Sequence, residues 1–211
     1  MSLIAAGLIN STWAVKQMNN EHIVMLIVGK TGSGKSSLIK RLCEHTGLKM
    51  LQSYTTRSKR SGSDNDHIFV DIAEYQRAKE SGEIAIDGEI AGNYYYSTIE
   101  QLYTSDVYTI NPEALDRLLT MDLPNIKFVV VYISCPDKIR EERALARGDD
   151  KHKYKAREFA ERSEFRKFVV EEKWDYAINN LDFAKSYSVL RWISQIEGLW
   201  QQIDTEKIGV K

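Results

Sequence analysis

The clearest chemistry in the chain lies in Gly29-Lys30-Thr31-Gly32-Ser33-Gly34-Lys35-Ser36. These residues follow the apolar run Ile23–Val28 and lead into Ser37-Leu38-Ile39-Lys40-Arg41-Leu42, so the order is strand, glycine-rich loop, helix. The spacing is that of a phosphate-binding loop, G-x-x-x-x-G-K-[ST]. Gly29, Gly32 and Gly34 are expected to supply positive φ and turn backbone N–H groups inward. The helix start adds unpaired N–H donors and a positive dipole end aimed at the same anion. Lys35 is expected to reach the β- and γ-phosphates of a purine nucleoside triphosphate, and the Ser36 hydroxyl to ligate Mg²⁺. Lys30, Thr31, Ser33 and Ser37 complete the expected triphosphate contacts.

A second concentration of charge runs from Lys138 to Lys167, with eleven Lys/Arg against seven Asp/Glu. Arg140, Arg143 and Arg147 recur at three- and four-residue spacing, roughly one face of a helix. Gly148-Asp149-Asp150 then breaks the pattern before Lys151, Lys153, Lys155, Arg157 and Arg162. Most such runs are solvated faces. The interspersed acids argue against a nucleic-acid footprint. In a chain that binds a triphosphate, a mobile lid bringing arginines to the transferring phosphoryl group is the preferred reading, chiefly for Arg147 and Arg157.

Several elements must position these groups. His22–Val28 is nearly all apolar, as a strand buried on both faces of a parallel sheet would be. Met50–Ser53, Asp106–Ile110, Lys127–Ser134 and Tyr176–Ile178 read as further strands, alternating with helices, and Phe183 to Ile196 as a closing helix. This predicts an α/β fold: a P-loop NTPase-type parallel sheet flanked by helices. Between the second and third strands lies a different stretch. Ser61–Asp66 is turn chemistry, His67–Val70 a brief strand, Ile72–Ser81 a helix, and Ile84–Ile86 and Gly92–Ser97 more extended chain. An insertion at the carboxyl end of a parallel strand sits where open α/β sheets bind ligands, so it is expected to form a lobe facing the phosphate loop.

The totals agree with one such domain. The chain has 211 residues, 43% of them hydrophobic, and a net charge of -1 that offers no general attraction to nucleic acid or membrane. Cys43 and Cys135 stand alone, without metal-ligand spacing or a disulfide framework, which suits a reducing cytoplasm. Leu3–Ile9 is too short to span a bilayer and has no basic residue before it, so neither a membrane span nor a secretory signal is expected. Met1–Glu21 holds Leu3, Leu8, Ile9, Trp13 and Val15 in a pattern open to an amphipathic helix, and stays unassigned.

Four stretches together resemble the guanylate kinase family, in the family's order and spacing. They are Gly29–Ser36, Ser53-Tyr54-Thr55-Thr56-Arg57-Ser58-Lys59-Arg60, Gly92-Asn93-Tyr94-Tyr95-Tyr96-Ser97, and Trp174-Asp175-Tyr176-Ala177-Ile178-Asn179-Asn180. The likeness runs from about Ile23 to Asn180. It implies a core with an inserted monophosphate-binding lobe, about 55–104, and a lid, about 146–167, within a domain spanning 22–211. It also implies that Arg57 and Arg60 grip the phosphate of a nucleoside monophosphate. Ser53 and Tyr95 match positions contacting that nucleotide, and Ser97 one at its base. Arg147 and Arg157 resemble the lid arginines, and Asn179 lies in a loop similar to the adenine-side loop of the donor. Two arginine forks can hold a phosphate dianion in register for in-line attack.

The departures from the family concern the base. Thr109-Ile110-Asn111 stands where Asp-Ile-Asp is usual, Ile86 stands near the usual Glu, and His67 replaces a usual tyrosine. Asn111 offers only an amide oxygen. Asp87 is the better candidate for a carboxylate that turns toward the base, and Glu89 a poorer one. The resulting expectation is transfer of the γ-phosphoryl group of ATP·Mg²⁺ to GMP or dGMP, with weakened base discrimination. A kinase with a non-guanine acceptor and a catalytically weak binding module are the alternatives.

Overall fold

The structure is a computed structural model that describes residues 21–59, 67–90 and 92–201. The sequence expectations for the segment before Glu21, for Arg60 and for the Ser61–Asp66 turn lie outside the described residues.

Strand β1 (His22–Val28) explains its own composition. Val24, Leu26 and Val28 point to one side, into a cluster with Leu115, Leu118, Phe165 and Phe168. Met25 and Ile27 point to the other, into a cluster with Leu38, Ile39, Leu42, Leu190 and Ile193. A strand apolar on both faces needs cover on both faces. That cover is helices α1 (Lys35–Thr46) and α7 (Phe183–Ile196) on one side, and α4 (Pro112–Leu118) and α6 (Lys151–Val170) on the other. The sheet has four parallel strands in the order β6-β1-β7-β8, where β6 is Val107–Thr109, β7 Ile126–Ser134 and β8 Tyr176–Asn179.

The expected strand Met50–Ser53 is reduced to a single parallel bridge, Met50 to Val107, with Leu51 N–H donating to Val107 O at 2.8 Å. The chain leaves the sheet at once because Tyr54–Thr55 (β2) is drawn into a second sheet, paired with Tyr96 and Tyr95.

That second sheet is the inserted lobe. Its order is β3-β2-β5-β4, with β3 at Ile68–Phe69, β4 at Ile84–Ile90 and β5 at Asn93–Thr98. Helix α2 (Ile72–Glu80) starts with a capping box between Asp71 and Glu74 and covers one face. There Tyr75 stacks on Tyr94 at 4.3 Å between ring centroids, and Tyr54 stacks on Tyr96 at 4.8 Å. A short helix, α3 (Ile99–Thr104), returns the chain to β6. The charged stretch forms α5 (Asp137–Ala146) and α6, broken at Gly148, whose φ of 92° only glycine adopts without strain. Asp150 then caps α6 by accepting from Lys153 N–H at 2.9 Å.

Candidate active site

The loop after β1 is shaped by close approach as much as by backbone freedom. Gly34 has φ 90°, and a Cβ there would stand 2.4 Å from Asn180 Nδ2. Gly29 does not have the positive φ expected of it. It is required because a Cβ would lie 2.5 Å from the Ile133 carbonyl on the neighbouring strand β7. Helix α1 begins with Gly34 at its N-cap and no acidic residue in its first turn. Its leading N–H groups have no intrahelical partner and no local carboxylate to neutralise them, the condition for an anion site.

Thr31, Gly32, Gly34, Lys35, Ser36 and Ser37 line a cleft of about 180 Å³, and the other two lining residues are Arg147 and Arg157. Arg147 and Arg157, expected from the sequence on a lid, thus line the same cleft as the phosphate loop. Arg147, at the end of α5, forks onto Asp149 with Nε and Nη2 donating at 2.9 and 2.6 Å. Arg140, which shares its helical spacing, does not join it. It is 1% exposed and turns inward, donating to the Thr31 carbonyl at 2.9 Å and to Asp137 Oδ1 at 2.7 Å. Arg143 turns toward Cys135 Sγ and the Leu181 carbonyl, both at 3.5 Å.

Lys35 folds back on its own loop, with Nζ bonded to the Gly29 and Lys30 carbonyls. Burial pulls its pKa from 10.5 down to about 8, against the attraction of Glu161 and with the repulsion of Arg140 and Arg147. A polyanion prefers the charged form, so kcat/KM for the phosphoryl donor is expected to fall above about pH 8, with unit slope on a log scale. A pH profile at saturating acceptor checks this. A flat profile to pH 10 would assign the lysine an ordinary pKa.

Among the described residues no three His, Cys, Asp or Glu groups converge in a way that could hold a metal ion. The donor set still fits Mg²⁺, which keeps several waters and takes few protein ligands beside substrate phosphates. The Ser36 hydroxyl, on the first turn of α1 and in the cleft, is the protein ligand on offer.

Asn179, expected near the donor base, is exposed at the end of β8 in register with Ser134. Its neighbour Asn180 was missed. It is 1% exposed and its Nδ2 donates to the Ser33 carbonyl at 2.7 Å, tying the β8 end to the phosphate loop. The paired asparagines at the carboxyl end of a core strand were the signal available for it.

In the lobe, strand alternation sorts the remaining candidates. Tyr95 and Ser97 share one face of β5, and their cross-strand partners are Gly88 and Ile86. His67 lies edge-on to Tyr95 at 5.3 Å and hydrogen-bonds Ser53 Oγ at 2.9 Å, so Ser53, His67 and Tyr95 come together. Ser97 is fully buried next to Tyr108, whose hydroxyl pKa burial pushes up. Arg57 lies over the Phe69 ring at 5.2 Å, which orients its guanidinium.

Asp87 does not turn toward that face. It pairs with Tyr96 and sits over α2, where Tyr75 Oη donates to it at 2.8 Å and Lys79 Nζ at 3.0 Å, with Arg117 of α4 at 3.6 Å. The pleat puts successive side chains on opposite faces, so residue 87 cannot share the face of Ile86 and Ser97. Burial raises its pKa, but the hydrogen bonds from Lys79 and Tyr75 and the Arg117 charge outweigh it and hold the carboxyl below its usual value. Asn111 is also engaged: it caps α4, with Oδ1 accepting from Ala114 N–H at 2.9 Å. Asp87→Ala is therefore expected to leave the GMP/AMP ratio of kcat/KM within about twofold while costing about 1 kcal/mol of stability, because it removes the acceptor of the buried Tyr75 hydroxyl. Parallel kinetics and thermal melts check this, and a collapsed base preference would return Asp87 to base reading.

A glycine-rich loop at the end of a central parallel strand, a lysine and serine on the following helix, and two arginines from the charged helices lining the same cleft define a P-loop NTPase-type α/β fold with an inserted second sheet. The guanylate kinase family model matches residues 21–196, and the chain belongs to that family. It is 28% identical to the guanylate kinase of Cupriavidus metallidurans, over 82% of this chain and 86% of that protein. It is 30% identical to that of Helicobacter pylori J99, over 84% and 89% respectively. The crystal structure of guanylate kinase from Anaplasma phagocytophilum shares the fold, with a TM-score of 0.59 at 20% identity and coverage of 86% of this chain and 88% of that one.

Proposed function

We propose that this protein transfers the γ-phosphoryl group of ATP to a nucleoside 5′-monophosphate, with GMP and dGMP as acceptors. The observation that carries the reading is the meeting of Lys35, Ser36, Arg147 and Arg157 in one cleft. Mg²⁺, held by Ser36 and the donor's phosphates, would neutralise charge on the transferring group. Lys35 orients the donor phosphates, and the lid arginines stabilise the charge that builds on the transferring phosphoryl group. Arg57 and Arg60, with Ser53 and Tyr95, hold the acceptor. The acceptor phosphate is already an anion, so no general base is required, and catalysis rests on positioning and charge stabilisation.

Base selection is the property in which this chain departs from its family. The face carrying Ser97 and Tyr95 presents Ile86, and Ile86 is packed in the apolar cluster with Tyr108 and Ile110. Guanine offers N–H donors that an aliphatic side chain cannot accept, and the Asn111 oxygen already serves the backbone. GMP is thus accepted with weaker rejection of other bases than a carboxylate pair would give. No helix among the described residues is long and apolar enough to cross a membrane, and cytoplasmic action on free nucleotides fits an ATP-consuming site.

The test is a coupled ADP-release assay across GMP, dGMP, AMP, CMP, UMP and dTMP. Turnover with GMP and dGMP, and a spread of kcat/KM across bases well below ~10⁴-fold, is expected. No turnover with any monophosphate would overturn the proposal.

A further inference from the structure

The phosphate loop is held by a carboxylate from the lid. Glu161, on α6 one turn beyond Arg157, accepts from Thr31 N–H through Oε2 at 2.9 Å and from Thr31 Oγ1–H through Oε1 at 2.6 Å. Thr31 lines the cleft with Lys35 and the two arginines. An inward N–H of a glycine-rich loop is the kind of donor that binds phosphate, and a paired carboxylate presents similar oxygens to it. Thr31 is gripped from its other side as well, since its carbonyl accepts from the buried Arg140 at 2.9 Å. Two cations of the cleft also have internal partners: Arg147 holds Asp149, and Lys35 holds the carbonyls of Gly29 and Lys30. Glu161 acts on Lys35 too, by charge attraction that opposes the lowering of its pKa.

We infer that Glu161 is an internal competitor of the donor nucleotide: its carboxylate occupies the Thr31 donors and must leave them for the triphosphate to bind. This rests on the proposed use of the loop for ATP. The alternative role is a fixed strut tying α6 to the loop in every state, and the two roles predict opposite signs. A competitor weakens donor binding, so its removal tightens it. A strut supports the site, so its removal loosens it. The competitor also places lid and loop in one exchange. Binding the triphosphate displaces Glu161 from the loop while Phe165 and Phe168 keep its helix on the sheet, and departure of the product lets the carboxylate return.

The experiment measures binding of MgATP, inorganic tripolyphosphate and GMP by titration calorimetry to wild type, Glu161→Gln and Glu161→Asp, with melting curves for each protein. A charge-assisted hydrogen bond given up on binding corresponds to about a tenfold change in Kd. Both variants are expected to bind MgATP and tripolyphosphate about tenfold more tightly than wild type, with GMP affinity unchanged. Equal or weaker triphosphate binding by two folded variants, beside normal binding by wild type, would overturn the competition and make Glu161 a strut. Tighter binding of GMP as well would overturn it too, by showing a general effect on the fold. Failure of wild type itself to bind MgATP would remove the functional reading, and the competition with it.

Discussion

Lys35→Met is expected to lower kcat by at least about a hundredfold and to raise the melting temperature in the same protein. The loss of rate follows from removing the cation that tracks charge on the transferring phosphoryl group, an effect usually of several kcal/mol. The gain in stability follows from the depressed pKa. A lysine pulled from 10.5 to about 8 is one whose charged form is disfavoured by folding. At 1.36 kcal/mol per unit the penalty is about 3 kcal/mol as an upper bound. Methionine of similar length relieves it but leaves the Gly29 and Lys30 carbonyls without their donor, so a net gain of about 1–2 kcal/mol remains. For a chain of this size that is a rise of about 2–8 °C. The sign has a pH signature. The penalty is fully present below pH 8, where both folded and unfolded lysines are charged. It fades between about pH 8 and 10.5, where the folded protein has already released the proton. The stability difference between variant and wild type should shrink across that window. Melts at pH 7, 9 and 10.5 check it, and a variant less stable than wild type at pH 7 would show that the loop carbonyls outweigh burial.

The second large effect separates the two nucleotide sites. Arg57→Ala is expected to raise KM for the monophosphate by roughly ten- to a hundredfold with kcat within a few-fold, because a charge-assisted phosphate contact contributes about 1.5–3 kcal/mol. Arg57→Lys should recover little of this. Lysine has no planar fork to grip phosphate oxygens bidentately, although it could still lie over the Phe69 ring as Arg57 does. Arg147→Ala should do the reverse, lowering kcat about a hundredfold with little change in either KM, since its contact is needed when charge builds on the transferring group. Steady-state kinetics with each substrate varied in turn distinguish the two. A shared pattern of defects would mean that the lobe and lid arginines do not have separate duties.

Two glycine positions show how far residue spacing carries. Gly34 is legible from sequence because the helix start and the lysine beside it demand a positive φ there. Gly29 has the same residue type in the same motif but a different reason, contact with the Ile133 carbonyl, which exists only once β1 and β7 pair. The same division applies to the lobe. The tyrosines of β5 were legible as a β-rich patch, and alternation along a strand is a local property. Whether Asp87 faced the acceptor or α2 depended on the cross-strand register with Tyr96, which no local pattern contains.

What the sequence by itself determined is the chemistry of the loop and the alternation of core strands with helices along the chain. Both are carried by neighbours in the chain: glycine spacing, an apolar run buried on two faces, and a helix start left free of acids. What only the tertiary structure decided is the company those residues keep. Arg140 and Arg147 share a helical spacing, yet one is buried against Thr31 and the other lines the cleft, because the α5 face that meets the loop is set by the packing of the sheet. Asn180, rather than Asn179, holds the loop because β8 pairs with β7 in a register that turns Asn180 inward. Glu161 reaches Thr31 across 130 residues of chain. Contacts over such separations depend on how helices dock on a sheet, and that docking is set by the whole core rather than by any one motif.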